Sequence, residues 1–290
     1  MMKTQLTFKS ITSYSKLLLG LAICFSSCEK PEDLPSPHAG AEVSKAIPSH
    51  EGGTKVFYGP ATPLGQGVAK AWVSTDKQGN PLSVGVTVSE HAVEALLKGE
   101  GHDHQSFTLK LPKQGEKTLY KHIVLDWNPM GHPAPGIYDL PHFDLHAYMI
   151  SEEERMAIIP MAPFDANGQI SFDVQPSPVF IPNDYTLDPG IVPAMGAHWM
   201  DRTSPEFNGQ IFTQTYIYGS YKGAFIFHEP MFTVAYLKDL KQMSNPFASY
   251  AIKQPESYQK PGYYPMQYSF TYNPTPGEYI ISLDGLVYKN

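Results

Sequence analysis

Between Pro141 and Ile150 the chain reads "PHFDLHAYMI", in which His142, Asp144 and His146 alternate with Phe143, Leu145 and Ala147. A period of two is the mark of an extended strand, and it sends the two sets to opposite faces. The segment therefore calls for a sheet with one apolar face and, on the other, two imidazoles and a carboxylate in a row. "LYKHIVLDW" (119–127) repeats the pattern, with Lys121, Ile123, Leu125 and Trp127 on one side and His122, Val124 and Asp126 on the other.

The same reasoning extends along the chain. "KVFYG", "GVAKAWVST", "LSVGVTV", "SFTLKL", "MQYSFTY" and "GEYIISLDGLVY" read as strands, and Gly79-Asn80 marks a hairpin turn. "QIFTQTYIY" and "AFIFHE", joined by "GSYKG", form a second hairpin, in which Pro230 is expected to end pairing or to mark an edge. Helical signals are few. "SEHAVEALLKG" is amphipathic with Ser89 as N-cap, Ser151 and Glu154 make a capping box for "SEEERMAI", and "TVAYLKDLKQM" stops before Asn245-Pro246. A loop-rich stretch is expected from Pro160 to Pro205. No internal repeat is evident. The fold class that results is mainly β, or α+β, with antiparallel sheets in a sandwich or barrel and a few short helices.

Residues 1–28 have the form of a lipoprotein signal peptide. Lys3, Lys9 and Lys16 precede the apolar run "LLLGLAICF", which is too short to span a bilayer, and "FSSC" places Cys28 behind small residues. Cys28 is then the expected lipidation site and the only link to a membrane, with simple secretion as the alternative. Residues 29–54, rich in proline, glycine and small polar residues, read as a flexible tether, and residues 55–290 as a single β-rich domain. Beyond Cys28 the chain has no cysteine, which excludes disulfides and thiolate metal sites. Removal of three lysines and no acids with the signal takes the formal charge from −7 to about −10. An acidic surface of that size argues against nucleic acid and against direct docking on anionic lipid.

No phosphate-binding glycine loop, nucleophile elbow, zinc-protease helix motif or cysteine nucleophile is present. Chemistry must come from histidine. Of 11 histidines, five lie between His122 and His198, and His228 follows. On a straight strand, Cα atoms two apart are about 6.6 Å apart and those four apart about 13 Å. Two of His142, Asp144 and His146 can thus share an ion, while the third supports them or acts as a base. Asp144 is the candidate proton acceptor, or alternatively a structural acceptor that orients a histidine. His198 and Glu229 are the candidates to complete a divalent-metal site with His142 and His146, zinc or iron being the ions such a set suits best. His228 and Glu229 are neighbours on a strand, so only one can join, and Glu229 is preferred. His122 and His132 are weaker candidates, and His102 and His104 read as part of a solvated loop.

"LDWNP", "GHPAPGIYDLPHFDLHAYMI", "VPAMGAHWMD" and "SPEFNGQIFTQTYIYGSYKGAFIFHEPMFT" resemble an uncharacterised bacterial domain family. It is named after a Thermus protein controlled by a sigma-E/anti-sigma-E pair, and the resemblance runs from about Tyr58 to Val287. It implies export and, by similarity to the named member, assembly as a ring. It implies no activity. The chain departs from the family's pattern at Pro133, where an acidic residue is expected, and at Ala147, where an aromatic one is.

Two functions compete on these grounds. One is a lipoprotein of the cell envelope that binds a ligand or assembles into a homo-oligomer, its metal site structural, with Tyr216, Tyr218, Tyr221, Tyr263 and Tyr264 as an interface or sugar-stacking platform. The other is a metal-dependent envelope enzyme of hydrolase or oxygenase type that uses the same site. An open coordination position would separate them.

Overall fold

A computed structural model describes residues 54–99, 103–160 and 174–290. The expected signal peptide with Cys28, the tether up to residue 53, and His102 lie outside the described residues. The first strands are β1 (Lys55–Tyr58), β2 (Thr62–Leu64), β3 (Gly67–Thr75) and β4 (Pro81–Ser89), followed by helix α1 (Glu90–Lys98) and β5 (Gln105–Lys110). Next come β6 (His122–Asn128), β7 (His142–Tyr148) and helix α2 (Glu152–Met156). Then follow β8 (Tyr185–Leu187), β9 (Ala197–Asp201), β10 (Gln214–Tyr221), β11 (Ala224–Thr233) and helix α3 (Val234–Gln242). The chain closes with β12 (Phe247–Ala251), β13 (Gly262–Tyr264), β14 (Gln267–Asn273), β15 (Glu278–Asp284) and β16 (Val287–Lys289).

These strands form two open antiparallel sheets and a small β13–β16 ribbon. The first sheet runs β1-β3-β4-β15-β14-β12, with β2 paired to β3, and the second runs β5-β6-β7-β11-β10-β9-β8. One apolar core joins them: Val73, Val84, Val86 and Ile281 from the first sheet cluster with Ile123, Leu125, Phe143, Leu145 and Phe232 from the second. The ring of Phe232 stacks beside Phe143 and meets Phe270 of the opposite sheet edge-on at 5.2 Å. Burial of each such ring stabilises by ~2–3 kcal/mol. The architecture is therefore a sandwich; neither sheet closes into a barrel.

The alternation in β6 and β7 is realised as read. Their apolar positions fill the sandwich interior, which turns His122, Asp126, His142, Asp144 and His146 to the outer face of the second sheet. All five are nonetheless buried, because other chain segments cover that face. The capping box forms: Ser151 Oγ accepts from the Glu154 N–H, and Glu154 accepts from the Ser151 N–H.

Four expectations need correction. The stretch expected to be loop-rich holds β8 and β9, so His198 sits on a strand paired with β10. Proline and glycine on both sides hide so short a strand. Pro230 does not mark an edge, since β11 is central, flanked by β7 and β10. The β7–β11 ladder has registered pairs at His228↔Ala147 and Met231↔Asp144 but none for Glu229 or Pro230, so the missing N–H falls in a gap of the ladder. Three of the five tyrosines cannot serve an exposed platform: Tyr216, Tyr218 and Tyr264 are buried, while Tyr221 and Tyr263 are half-buried. Ser89 stands at the N-cap position of α1 but makes no side-chain capping bond; its hydroxyl accepts from the Val68 N–H instead.

Candidate metal centre

The outer face of the second sheet gathers side chains from five segments. β7 supplies His142, Asp144 and His146. β6 places Asp126 opposite Asp144, and Val124 opposite His146. β11 supplies Glu229, which pairs with Ile217 of β10, and β9 supplies His198, which pairs with Gly219 of β10. The loop before β7 brings His132. Of these groups, His132, Asp144, His146, His198 and Glu229 line a cavity of about 550 Å³, whose other walls include Ile191, Val192, Met195, Met200, Ile217 and Met231. That volume falls in the range of small-molecule sites, and so does the balance of apolar wall and few polar groups.

Two ligand sets lie on this face. His146, His198 and Glu229 form one, His132, His142 and Asp144 the other, and in each the ligating atoms lie within 4.8 Å of one another. The four residues expected to share one ion are thus divided: His142 joins Asp144, while His146 joins His198 and Glu229. The reason is the strand itself, which keeps side chains four residues apart too far from each other to meet at one ion. Asp126 and Asn128 were not expected at the site, and His132 was only a weaker candidate. Their position follows from β6–β7 pairing and from the fold-back of the intervening loop, neither of which has a local sequence signal.

In the first set, Glu229 Oε1 lies 3.3 Å from His146 Nε2, and Glu229 Oε2 lies 3.8 Å from His198 Nε2. Behind His146, Asp126 Oδ2 sits 2.9 Å from Nδ1. His104 Nε2 lies 3.2 Å from Asp126 Oδ1, which also accepts from the Ser106 hydroxyl. A carboxylate on one ring nitrogen fixes the tautomer and orients the other nitrogen, as in carboxylate–histidine–zinc arrangements. Phe227 packs edge-on against both imidazoles, at 4.9 Å from His146 and 5.2 Å from His198. It can do so because Gly219 leaves room for it: a Cβ at that position would lie 1.9 Å from the ring.

In the second set, His142 Nε2 lies 3.1 Å from Asp144 Oδ1, and His132 Nε2 lies 3.4 Å from Asp144 Oδ2. Asn128 Nδ2 donates to Asp144 Oδ2 at 2.7 Å. Across both sets, His142 Nε2, Asp144 Oδ1, both nitrogens of His146 and Glu229 Oε2 are buried with no hydrogen bond of acceptable direction. The atoms are close, but not in hydrogen-bonding geometry.

The charges follow from crowding and burial. Burial, then the imidazoles of His146 and His132, push His198 down to about 3, so its nitrogens stay free to ligate. Burial pushes the Glu229 carboxyl up to about 8, against the pull of His146. For His146, burial disfavours the charged ring, yet Glu229 and Asp126 outweigh it and hold the imidazole at about 9. His132 is held at about 9 in the same way, with Asp144 overcoming burial. Burial also opposes the charged forms of Asp126 and Asp144. His104, His146 and Ser106 nonetheless hold Asp126 at about 2, and His132 and His142 hold Asp144 far below the carboxylate range. So acidic a group is a poor proton acceptor near neutral pH, which tells against Asp144 as the base.

His228 and His122 stand apart. His228 faces the sandwich interior with its Nδ1 2.6 Å from the Tyr120 hydroxyl, and burial pushes it down to about 3. His122 stacks on Tyr148 at 5.0 Å between ring centres.

No curated protein and no solved structure matches the chain. A family model described as TTHB210-like, "Hypothetical protein TTHB210", matches residues 76–127. That segment starts at the turn before β4 and ends at Trp127 of β6, next to the Asn128 that holds Asp144. The family is the one the sequence resembles, and the segment from 76 to 127 is TTHB210-like.

Proposed function

We propose that this protein holds a divalent metal ion on His146, His198 and Glu229, oriented from behind by Asp126, at the wall of a small-molecule cavity. The carrying observation is the convergence of buried His146 and Glu229 with the partly buried His198, their polar atoms 3.3 and 3.8 Å apart, where His146 Nε2 and Glu229 Oε2 are buried without a hydrogen bond. Ligand atoms about 2.0–2.2 Å from a zinc ion stand about 3.3 Å from each other, whereas hydrogen bonds are shorter and linear. Two histidines and a carboxylate leave coordination positions free, and the cavity supplies space beside them. That combination favours a metal-dependent enzyme over a protein whose ion is purely structural. With zinc the set suits hydrolysis by an activated water, with iron the activation of oxygen. The signal-like first 28 residues support a lipid anchor on Cys28 in the cell envelope.

The test is the metal content of the full chain, purified without a histidine tag, beside His146→Ala and His198→Ala. A near-stoichiometric ion in the parent that both variants lose is the expected result, and its identity selects the reaction to assay. Unchanged metal content in both variants would overturn the proposal. For the anchor, Cys28→Ser is expected to move the protein from the membrane fraction to the soluble one.

A further inference from the structure

We infer that the centre takes a second divalent cation, held by His132, His142 and Asp144 beside the ion assigned above. The inference extends that reading but rests on different residues.

The tautomers carry the argument. His142 Nδ1 lies 2.6 Å from the Leu140 carbonyl oxygen, and His132 Nδ1 lies 2.5 Å from the Pro133 carbonyl oxygen. A carbonyl only accepts, so in both rings Nδ1 carries the proton. Nε2 is thus the nitrogen that each ring turns to the carboxylate, and the two lie 3.1 and 3.4 Å from the two oxygens of Asp144. A divalent ion between them takes the place of any proton those nitrogens carry. Histidines that ligate metals show this arrangement, one nitrogen tied to a backbone carbonyl and the other on the ion.

A second observation points the same way. His142 is fully buried, and its Nε2 and Asp144 Oδ1 are both without a well-directed hydrogen bond. Two such atoms left unsatisfied disfavour the arrangement without an occupant. Asn128 meanwhile fixes the carboxylate by donating to its other oxygen at 2.7 Å. The set therefore has a carboxylate fixed by Asn128 and two ring nitrogens turned towards it, which suits zinc, iron or manganese. Asp144 and His146 are successive outward-facing residues of β7, with Cα atoms about 6.6 Å apart. The two ions would therefore stand side by side at one cavity, to which Asp144 and His132 belong as much as His146, His198 and Glu229 do.

The experiment is a count of bound ions per chain by mass spectrometry after equilibrium dialysis of the full chain against zinc, and separately against manganese. The parent is expected to hold two ions. His132→Gln and His142→Gln should each hold one, His198→Gln one, and the double variant His142→Gln/His198→Gln none. His132→Gln and His142→Gln variants that both retain the parent's count, whether that count is one or two, would overturn the second site. If instead His198→Gln keeps the parent's count while His142→Gln loses an ion, the first assignment fails and this one stands. Should His142→Gln not fold, His132→Gln still decides, since His132 lies on a loop and is partly exposed. Anomalous scattering at the zinc edge from crystals of the parent gives an independent count, two peaks being expected, and the lack of a peak at His132, His142 and Asp144 contradicting the proposal.

Discussion

The imidazole of His146 is held from two sides, by Asp126 at Nδ1 and by Glu229 at Nε2. Asp126 touches no part of the proposed ion, so its influence is on orientation. Asp126→Asn is expected to weaken metal affinity about 10- to 100-fold, measured by competition with a chelator, while the fold persists. The charges set the pH response. Without metal, His146 at about 9 and Glu229 at about 8 both carry protons at neutral pH. A divalent ion must displace them, so affinity should rise with pH up to about 9, by about tenfold per unit for each proton released. Titration calorimetry in buffers of different ionisation enthalpy reads the proton count directly. Affinity that stays flat from pH 7 to 9 would contradict the charge assignment.

At the scale of elements, β10 and β11 show how a sheet makes room for chemistry. Gly219 has registered partners on both sides, His198 on β9 and Phe227 on β11, and the Phe227 ring lies across it. Gly219→Ala puts a methyl group into a buried ring that has nowhere to move. The expected cost is about 1–3 kcal/mol in denaturant unfolding, with weaker metal binding because Phe227 buttresses both histidines. Phe232→Ala tests the other face of β11. It empties the contact with Phe143 and Phe270, and should cost about 3–5 kcal/mol without changing the ligand geometry. The sequence disclosed this division of labour only in part. The alternation within β7 is local, so the common face of His142, Asp144 and His146 could be read directly. Which strand lies beside β7 is not local, and so Asp126 and Asn128 were not visible as neighbours of Asp144. His132 sits in a proline-rich loop with no period to place it, and β9 is too short to stand out from its surroundings.

For the molecule as a whole, buried histidines and carboxylates set a stability window. Burial lowers His228 to about 3 in the folded chain, against about 6.5 when unfolded. Between those values the unfolded chain binds a proton that the folded one does not. Stability therefore falls as pH drops from 6.5 towards 3, by about 1.4 kcal/mol per unit for this group. Asp126, held at about 2, adds stability that is present above the ordinary carboxylate range and is lost as pH falls through that value. His132 and His146, held at about 9, act in the opposite sense: their contribution is complete below 6.5 and is lost as pH rises through 9. Urea midpoints across this range should peak near neutrality, and His228→Gln should flatten the acid limb between about pH 6.5 and 4.

The second sheet keeps its ligands and its core on opposite faces, residue by residue, along the same strands. Asn128 of β6, Asp144 and His146 of β7, and Glu229 and Met231 of β11 meet the cavity, while their neighbours Trp127, Phe143, Leu145 and Phe232 meet the other sheet. Scaffold and reactive surface are therefore separately heritable. A lineage can exchange the outward residues for another set of ligands, or for none, and inherit the sandwich unchanged.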